Sequence, residues 1–283
     1  MKIDGKAIAD KILEDLTLKV KLLKEKGIVP TLAVILVGDN PASLSYIKQK
    51  QKTAERIGAT LQLHQASSDM RQDTLLELIT KLNVDPQVHG IIVQRPLPKA
   101  SSINNAILKT INQQKDVDGF VPNSPFAVPV ARAVIMILRF VFSQLNQLVQ
   151  LDQFDVWLKK KRIVIIGKGE TAGRPIADYL AKQHCTTSTI HSQTANPQKL
   201  IRNADIVISC VGKERVVTKD MIKSGSILIS VGIWRDSEGK LHGDYEEEDV
   251  KDTASFYTPT PGGVGPVNVA CLMQNVVEAV SII

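Results

Sequence analysis

The chain has 283 residues, of which 43% are hydrophobic and 23% are charged, and 35 Lys and Arg against 29 Asp and Glu give it a net charge of +6. These values are ordinary for globular proteins and exclude a disordered, collagen-like or coiled-coil chain. The three cysteines are scattered without a C-x-x-C pair, which argues against a zinc ribbon or a disulfide framework.

The length fits one large α/β domain or two smaller ones. No apolar h-region follows Met1, so we expect no signal peptide. The most apolar stretch, 133–142, contains Arg139 and is shorter than the roughly 20 residues of a bilayer span. We therefore expect a cytoplasmic protein with no membrane partner. The mild positive charge suits anionic ligands, and we do not expect nucleic acid as a partner.

The first half of the chain alternates helix and strand patterns. Apolar residues at three- and four-residue spacing predict amphipathic helices, and short apolar runs that end in Gly or Pro predict buried strands. The order is a helix over 6–26, a strand over 31–37, a helix over 42–57, a strand over 61–66, a helix over 72–82 and a strand over 90–93. This alternation implies a mostly parallel sheet with helices on both faces.

The second half repeats the alternation after a turn-rich region over 115–132. A helix over about 130–142 and a helical connector over 143–160 come first. Then follow a strand over 162–166, a helix over 174–183, a strand over 187–191, a short helix over 196–201, strands over 205–211 and 227–231, an exposed acidic segment over 244–252, a Pro/Gly loop over 258–266 and a final helix over 267–281. The fold class is therefore α/β.

A glycine-rich turn joins the 162–166 strand to the next helix and predicts a dinucleotide site. The turn contains Gly167, Lys168, Gly169 and Gly173. Backbone N–H groups and the helix dipole at such a helix start favour a pyrophosphate. The spacing G-x-G-x-x-x-G is one residue longer than the usual fingerprint, so a packing turn of another α/β protein is the alternative.

The end of the following strand favours NADP over NAD. NAD sites usually place Asp or Glu there to bind the ribose hydroxyl, whereas this chain has His191-Ser192-Gln193-Thr194. No carboxylate would repel a 2′-phosphate, and Ser192 and Lys168 could bind one. The alternative is that Ser192 is only a turn residue.

The candidates for catalysis are Tyr46, Lys50, Gln94 and Asp118. Tyr46 and Lys50 are four residues apart and share one face of the second helix. An ammonium beside a tyrosine lowers the cost of tyrosinate and can orient water or a leaving amine, although an exposed pair without function is the alternative. Gln94 ends the 90–93 strand, where ligands of open α/β sheets gather, and its amide both donates and accepts.

Two loops complete the set of motifs. The turn at 115–119, Lys-Asp-Val-Asp-Gly, carries Asp116 and Asp118, and capping of backbone groups is the alternative role for Asp116. The loop at 261–266, Pro-Gly-Gly-Val-Gly-Pro, allows close backbone approach to a ligand before the last helix.

Together these motifs resemble one family, the bifunctional methylenetetrahydrofolate dehydrogenase/methenyltetrahydrofolate cyclohydrolase of the FolD type. The resemblance runs from Asp4-Gly5 to the last helix. In chain order, the motifs that carry it are Val37-Gly38-Asp39-Asn40-Pro41-Ala42-Ser43, Tyr46-x-x-x-Lys50, Gly90-Ile91-Ile92-Val93-Gln94, the 115–119 turn, and the 261–266 loop after Thr258-Pro259-Thr260.

The resemblance implies two α/β domains flanking a cleft, the second a Rossmann-like doubly wound parallel sheet. Residues 1–140 would form the catalytic folate-binding domain, completed by the C-terminal helix over 264–283. Residues 155–260 would form the NAD(P)-binding domain. Enzymes of this family are generally homodimers, which pair through the cofactor domain.

The resemblance also implies two reactions on tetrahydrofolate derivatives. A hydride passes from 5,10-methylenetetrahydrofolate to NADP, and water then converts 5,10-methenyltetrahydrofolate to 10-formyltetrahydrofolate. No metal is expected.

Site residues follow from the matching positions. Lys50 would act mainly in the hydrolytic step, Gln94 would hold it, and Tyr46 would stack on or hydrogen-bond the folate. The pterin would contact Asp118, and the folate would also lie against Gly262 and Gly263. The residues that match dinucleotide contacts are Gly167, Lys168, Gly169, Ser192 and Ile233.

Four departures from the family pattern keep alternatives open, and one of them is a connector over 139–160 that is longer than usual. Arg95 stands where the family usually has Leu, and its charge could lower the pKa of Lys50 or bind a folate carboxylate. Residues 129–132, Pro-Val-Ala-Arg, replace Thr-Pro-x-Gly, which alters one wall of the folate pocket. Lys168-Gly169 replaces the common Arg-Ser, so NAD is the alternative cofactor.

The alternatives to the bifunctional enzyme are a same-fold dehydrogenase with weakened cyclohydrolase activity and a non-catalytic folate- or dinucleotide-binding protein. A shikimate- or amino-acid-dehydrogenase-like oxidoreductase would share the architecture but would not explain the 261–266 loop beside the 115–119 turn. A nucleic-acid-binding module would bind DNA in a salt-sensitive way.

Overall fold

A computed structural model describes residues 1–98, 105–145 and 153–282. The chain divides into two compact units. One unit, Met1–Ala9 with Val130–Asn268, contains a five-stranded sheet, and the other, Asp10–Pro129 with Val269–Ile283, contains a three-stranded sheet. We call them the five-strand unit and the three-strand unit. Within the described ranges, every helix is too short or too polar to cross a membrane.

Helices and strands alternate along most of the chain. The helices are α1 (Gly5–Glu25), α2 (Pro41–Ile57), α3 (Gln72–Val84), α4 (Pro129–Leu145), α5 (Phe154–Lys159), α6 (Gly173–Lys182), α7 (Pro197–Asn203), α8 (Glu247–Val250) and α9 (Val264–Ala279). The strands are β1 (Thr31–Val37), β2 (Thr60–Ala66), β3 (Gly90–Val93), β4 (Ile163–Ile166), β5 (Thr187–Ile190), β6 (Ile206–Ser209), β7 (Ile227–Ser230), β8 (Ile233–Arg235), β9 (Leu241–Gly243) and β10 (Phe256–Tyr257).

The three-strand unit contains a parallel sheet in the order β2-β1-β3. All seven residues of the central strand β1 are buried, which agrees with its continuous apolar run between two helix-covered faces. The chain leaves β1 for β2 on one side and returns to β3 on the other. A crevice therefore opens at the carboxyl ends of β1 and β3, where open α/β sheets bind their ligands.

The five-strand unit contains a parallel sheet in the order β10-β7-β6-β4-β5. Strands β4, β6 and β7 are entirely buried. The strand order reverses at β4, whose neighbours are β5 and β6, so the ligand crevice of this sheet lies at the carboxyl ends of β4 and β6. A separate antiparallel hairpin, β8–β9, follows β7.

The predicted α/β class is confirmed, and each predicted helix and strand outside the connector is present with small shifts at its ends. The helical connector over 143–160 is only partly testable. Its ends belong to α4 and α5, and residues 146–152 lie outside the described ranges. The sequence did not predict the β8–β9 hairpin or the short strand β10, because both are shorter than the patterns that identify strands.

The prediction of an exposed acidic segment over 244–252 is wrong at three of its positions. Asp244 and Val250 are 0% exposed, and Tyr245 is 5% exposed. The other residues of the segment, 246–249 and 251–252, are exposed or half-buried, as predicted. Composition alone suggested a solvated run, whereas Asp244 and Tyr245 are stabilised by buried hydrogen bonds.

The final helix α9 returns to the three-strand unit, where Asn275 is fully buried. Its Nδ2 donates to the Val117 carbonyl at 2.8 Å and to the Ala127 carbonyl at 3.0 Å. One amide therefore satisfies two carbonyls ten residues apart within the turn-rich region 115–132.

We expect Asn275→Asp to destabilise the protein by about 2–4 kcal/mol, because a buried carboxylate lacks donors and would leave both carbonyls unsatisfied. Urea unfolding followed by circular dichroism measures this change. An unchanged unfolding midpoint would contradict the structural role of Asn275.

Candidate active site

Helix α2 starts at the carboxyl edge of the three-stranded sheet and carries two of the predicted residues. The Asn40 side chain caps the helix, accepting the Ser43 N–H at 3.1 Å, and Gly58 ends it in the left-handed conformation. Tyr46 and Lys50 lie one turn apart on this helix, and both are half-buried. The cap fixes where helix α2 begins, and this sets the positions of Tyr46 and Lys50 along the carboxyl edge of the sheet.

Lys50 contacts Gln94, which directly follows β3. The Lys50 Nζ donates to the Gln94 Oε1 at 2.9 Å. The Gln94 N–H donates to the Ile35 carbonyl at 2.8 Å, and its Nε2 donates to the Arg95 carbonyl at 2.8 Å. Because the amide nitrogen is engaged by a carbonyl, the amide oxygen is the atom left to accept from Lys50. The crevice therefore brings together residues from two elements that are 44 positions apart in the sequence.

Opposite charges compensate each other around Lys50. Burial lowers the pKa of the Lys50 ammonium, and Asp118 partly opposes this effect. Burial raises the pKa of the Asp118 carboxyl, while Lys50 and Arg95 lower it. Since burial is the larger effect on the pKa of Lys50, its neutral amine is easier to reach than that of an exposed lysine, which suits a role in proton transfer.

Arg95 lies across the face of an aromatic ring. Its guanidinium carbon is 4.5 Å from the centroid of Phe120, and both residues are half-buried. The sequence suggested that Arg95 could lower the pKa of Lys50 by repulsion. In the structure, the shift of Lys50 comes from burial and Asp118, and Arg95 acts on Asp118.

The first two residues of the 115–119 turn are structural. Lys115 is 3% exposed, and its Nζ donates to the carbonyls of Leu82 and Asp85 at the end of α3, at 3.0 and 2.6 Å. Asp116 is 2% exposed and accepts the Val121 N–H at 2.7 Å. The alternative role predicted for Asp116, capping of the backbone, is confirmed. Burial, with a smaller contribution from Asp118, raises the pKa of Asp116 to about 6.

In the five-strand unit, the predicted glycine turn follows β4 and leads into α6. Gly167 has a φ of +97°, and a Cβ on it would lie 2.8 Å from the Cys210 carbonyl oxygen. A Cβ on Gly173 would lie 1.9 Å from the Gly167 carbonyl oxygen. Gly169 differs, since a Cβ there would meet nothing within 4 Å. Packing therefore requires Gly167 and Gly173, whereas Gly169 borders open space at the helix start.

Ser192 and Lys168 are exposed at this same carboxyl edge. Ser192 belongs to a closed turn, in which the His191 N–H donates to the Thr194 Oγ1 at 2.9 Å and the Thr194 N–H donates to the His191 carbonyl at 2.9 Å. The turn contains no carboxylate. An open glycine turn, an exposed hydroxyl and an exposed ammonium fit a dinucleotide that carries a 2′-phosphate.

Asp244, whose role the sequence pattern did not reveal, organises the loop after β6. Its carboxylate accepts the Ser209 hydroxyl at 2.6 Å and the backbone N–H groups of Val211, Gly212 and Lys213 at 2.9, 2.7 and 2.9 Å. This loop lies at the point where the strand order reverses. The available signal was local: Asp244 is flanked by Gly243 and an aromatic residue rather than by further acids.

Ile233 begins β8 directly after β7 and is 37% exposed. A Cβ on Gly212 would lie 2.8 Å from the Ile233 carbonyl oxygen, so residue 233 packs against the loop that Asp244 holds. The five positions predicted to contact the dinucleotide thus all follow strands β4, β5 or β7 at one edge of the sheet.

The 261–266 loop has a structural reason for its glycines. Gly262 has a φ of +102°, and a Cβ on Gly263 would lie 2.5 Å from the Pro259 carbonyl oxygen. A Cβ on Gly5, at the start of α1, would lie 1.9 Å from the Gly263 carbonyl oxygen. Contact of Gly262 and Gly263 with folate stays a prediction. Across the described residues, no group of three or more His, Cys, Asp and Glu is placed to hold a metal ion.

Comparisons with known proteins agree with this arrangement. Residues 3–118 match the family model described as tetrahydrofolate dehydrogenase/cyclohydrolase, catalytic domain, and residues 146–282 match the NAD(P)-binding domain of the same family. The bifunctional protein FolD of Lactococcus lactis subsp. cremoris is 40% identical over 98% of this chain and 95% of its own length.

Two solved structures are similar over the whole chain. The FolD methylenetetrahydrofolate dehydrogenase/cyclohydrolase of Campylobacter jejuni has a TM-score of 0.91 and 38% identity, covering 100% of this chain and 99% of its own. The Trypanosoma brucei enzyme, solved with NADP cofactor and an inhibitor, has a TM-score of 0.89 and 31% identity, covering 100% and 97%.

The glycine turn allows a matched pair of variants. We expect Gly173→Ala to destabilise the protein, because its Cβ would overlap the Gly167 carbonyl oxygen. Gly169→Ala, with no atom nearby, should unfold at the same temperature as the wild type. Differential scanning calorimetry compares the two, and equal unfolding temperatures would contradict the packing described.

Asp116 should make stability depend on pH. In the folded chain its pKa is raised from 3.8 to about 6. Below about pH 4 the carboxyl is protonated and does not reduce the free energy of unfolding. Above about pH 6 it is ionised, and the reduction of that free energy is complete. Asn can still accept the Val121 N–H. The stability of Asp116→Asn relative to the wild type should therefore rise from pH 4 to pH 7, by about 3 kcal/mol at most. Urea unfolding at several pH values measures it, and a difference that stays constant with pH would refute the raised pKa.

Proposed function

Because the chain belongs to the tetrahydrofolate dehydrogenase/cyclohydrolase family, we propose which of its residues carry out the two reactions of that family. The protein is a bifunctional enzyme of one-carbon folate metabolism. It oxidises 5,10-methylenetetrahydrofolate to 5,10-methenyltetrahydrofolate and hydrolyses the product to 10-formyltetrahydrofolate. The observation that carries the residue assignment is the Lys50–Gln94 hydrogen bond beside Asp118 at the carboxyl edge of the three-stranded sheet.

Lys50 acts mainly in the hydrolytic step. Water adds to the methenyl carbon, the bond from that carbon to N5 breaks, N5 takes a proton, and one proton is released. The Lys50 amine accepts a proton from the attacking water and returns one to N5, a role that its lowered pKa supports. Gln94 is a positioning residue, because its amide oxygen holds the Lys50 Nζ at 2.9 Å.

Folate contacts involve both loops predicted from the sequence. Asp118 accepts hydrogen bonds from the donor-rich edge of the pterin, which a carboxylate suits. Tyr46 stacks on or hydrogen-bonds the folate one helical turn from Lys50. Gly262 and Gly263 offer backbone without side chains to the substrate.

NADP is the cofactor that the residues fit best, and when bound it takes up the hydride. Gly167, Lys168 and Gly169 would hold its pyrophosphate at the start of α6. The 2′-phosphate would bind Ser192 and Lys168, and Ile233 would contact the dinucleotide after β7. The Trypanosoma brucei relative solved with NADP supports this choice. NAD is the alternative, because Lys168 lacks the fork of an arginine.

The organisation of the protein completes the proposal. Residues 1–140 with the C-terminal helix over 264–283 form the folate-binding domain, and residues 155–260 form the NAD(P)-binding domain. The boundary between the two family models, which lies between residues 118 and 146, and the return of residues 269–283 to the three-strand unit support this division, whereas residues 1–9 and 130–140 lie in the five-strand unit. The enzyme acts in the cytoplasm as a homodimer.

The test is to incubate purified protein with 5,10-methylenetetrahydrofolate and NADP⁺ or NAD⁺ while following the reduced nicotinamide, methenyl and 10-formyl products. We expect the wild type to form all three with NADP⁺. Lys50→Met should lose at least about a hundredfold of the hydrolytic rate, the scale of general acid–base catalysis. Lys48→Met, an exposed lysine on the same helix, is the control and should keep it.

Equal hydrolysis by Lys50→Met and Lys48→Met would overturn the role of Lys50. Accumulation of the methenyl product by the wild type would indicate a dehydrogenase with weakened cyclohydrolase activity. No turnover by folded protein with either cofactor would favour a binding protein.

A further inference from the structure

Arg95 is the cation in the folate crevice that the two reactions leave without a role. It follows Gln94 at the carboxyl end of β3, and its guanidinium lies 4.5 Å above the ring of Phe120. A guanidinium has five N–H donors, and a cation–π contact with an aromatic ring uses none of them as a hydrogen bond to O or N. Phe120 therefore packs against Arg95 without consuming its hydrogen-bonding capacity.

Arg95 and Asp118 reach the same small space. Together with Phe120 they line a cavity of about 20 Å³, which has room for roughly one water molecule. In the ranges 1–98, 105–145 and 153–282, the Arg95 side chain makes no hydrogen bond, and no ion pair within 4 Å joins it to Asp118. The carboxylate of Asp118 and the guanidinium of Arg95 thus belong to residues that border one cavity, and the charge of Arg95 lowers the pKa of Asp118.

This pattern complements one edge of a pterin. The pyrimidine ring of a tetrahydrofolate presents a 2-amino donor, an N3–H donor and a 4-oxo acceptor in a row. A carboxylate beside a guanidinium offers two acceptors followed by planar donors, in the matching order.

We propose that Arg95 is a specificity-determining residue that donates hydrogen bonds to the 4-oxo group of the pterin while Asp118 accepts from its N3–H and 2-amino groups. The proposal deepens the function above and rests on it. The glutamate tail of folate is the less suitable partner for Arg95. A tail carboxylate at this place would stand beside the Asp118 carboxylate and be repelled, whereas a neutral oxo group is not.

The test compares ligands that differ at the 4-position, where the amino analogue also lacks the N3–H, or in the glutamate tail. The loss of the N3–H is common to every protein variant, so the comparison between variants reports on residue 95. Tetrahydrofolate, its 4-amino-4-deoxy analogue and tetrahydropteroate, which lacks the glutamate, are titrated calorimetrically into the wild type, Arg95→Met and Arg95→Lys. Arg71→Met is the matched control, since Arg71 is an exposed arginine of the same unit. Thermal unfolding of each variant confirms that it is folded, and Arg95→Lys carries the test if Arg95→Met does not fold.

We expect Arg95→Met to bind tetrahydrofolate and tetrahydropteroate about tenfold more weakly, the scale of one hydrogen bond from a charged group. The affinity of Arg95→Met for the 4-amino analogue should stay the same or increase, because the 4-amino group of the ligand no longer faces the positive charge of Arg95. The ratio of the affinity for tetrahydrofolate to the affinity for its 4-amino-4-deoxy analogue should therefore fall about tenfold. Arg95→Lys, which keeps the charge but not the planar fork, should lose less, and Arg71→Met should match the wild type.

An unchanged preference in folded Arg95→Met would overturn the proposal. So would a loss confined to tetrahydrofolate and absent for tetrahydropteroate, because it would assign Arg95 to the glutamate tail. Wild-type protein that neither binds nor converts a folate would instead refute the proposed function, whereas an active wild type with an unchanged preference would refute only the role of Arg95.

Discussion

The cost of burying charge governs the folate crevice. An ammonium and a carboxylate taken from water lose their hydration, and each is tolerable only where opposite charges and hydrogen bonds replace it. Lys50 obtains an amide oxygen from Gln94 and the charge of Asp118, and Asp118 obtains two cations. These partners come from α2, the end of β3 and the 115–119 turn, so the parallel sheet must align its carboxyl edge before any of the charges is compensated.

The motifs that identify the family combine architecture and chemistry within a few residues. In the 115–119 turn, Lys115 ties the chain to the end of α3 and Asp116 caps Val121, which leaves Asp118 for the crevice. The glycine turn after β4 has the same division of roles. Close contacts require glycine at 167 and 173, whereas Gly169 borders open space. The spacing of such motifs thus reflects the packing residues as much as the reactive ones.

Much of this could be predicted from the sequence, for identifiable reasons. Apolar periodicity reports burial, so the strands and helices of both sheets were recoverable, as was the placement of Lys50 and Gln94 at one edge. The burial of Asp244 could not be predicted. A charged side chain indicates exposure only where no buried N–H groups need it as a hydrogen-bond acceptor. The surroundings of Arg95 could not be predicted either, because only the fold brings Phe120 and Asp118 near it. Composition does not reveal the contacts of Asp244 or of Arg95, because in both cases the contacting residues are far apart in the chain.

The four hydrogen bonds that Asp244 accepts have a consequence for the binding of the cofactor. Fixing the backbone of a residue costs about 1–2 kcal/mol of conformational entropy, and the loop over 209–213 meets this cost during folding rather than at the encounter with the dinucleotide. An incoming cofactor finds this wall of its crevice already formed. The conformational entropy of this loop is then not lost a second time when a ligand binds beside it.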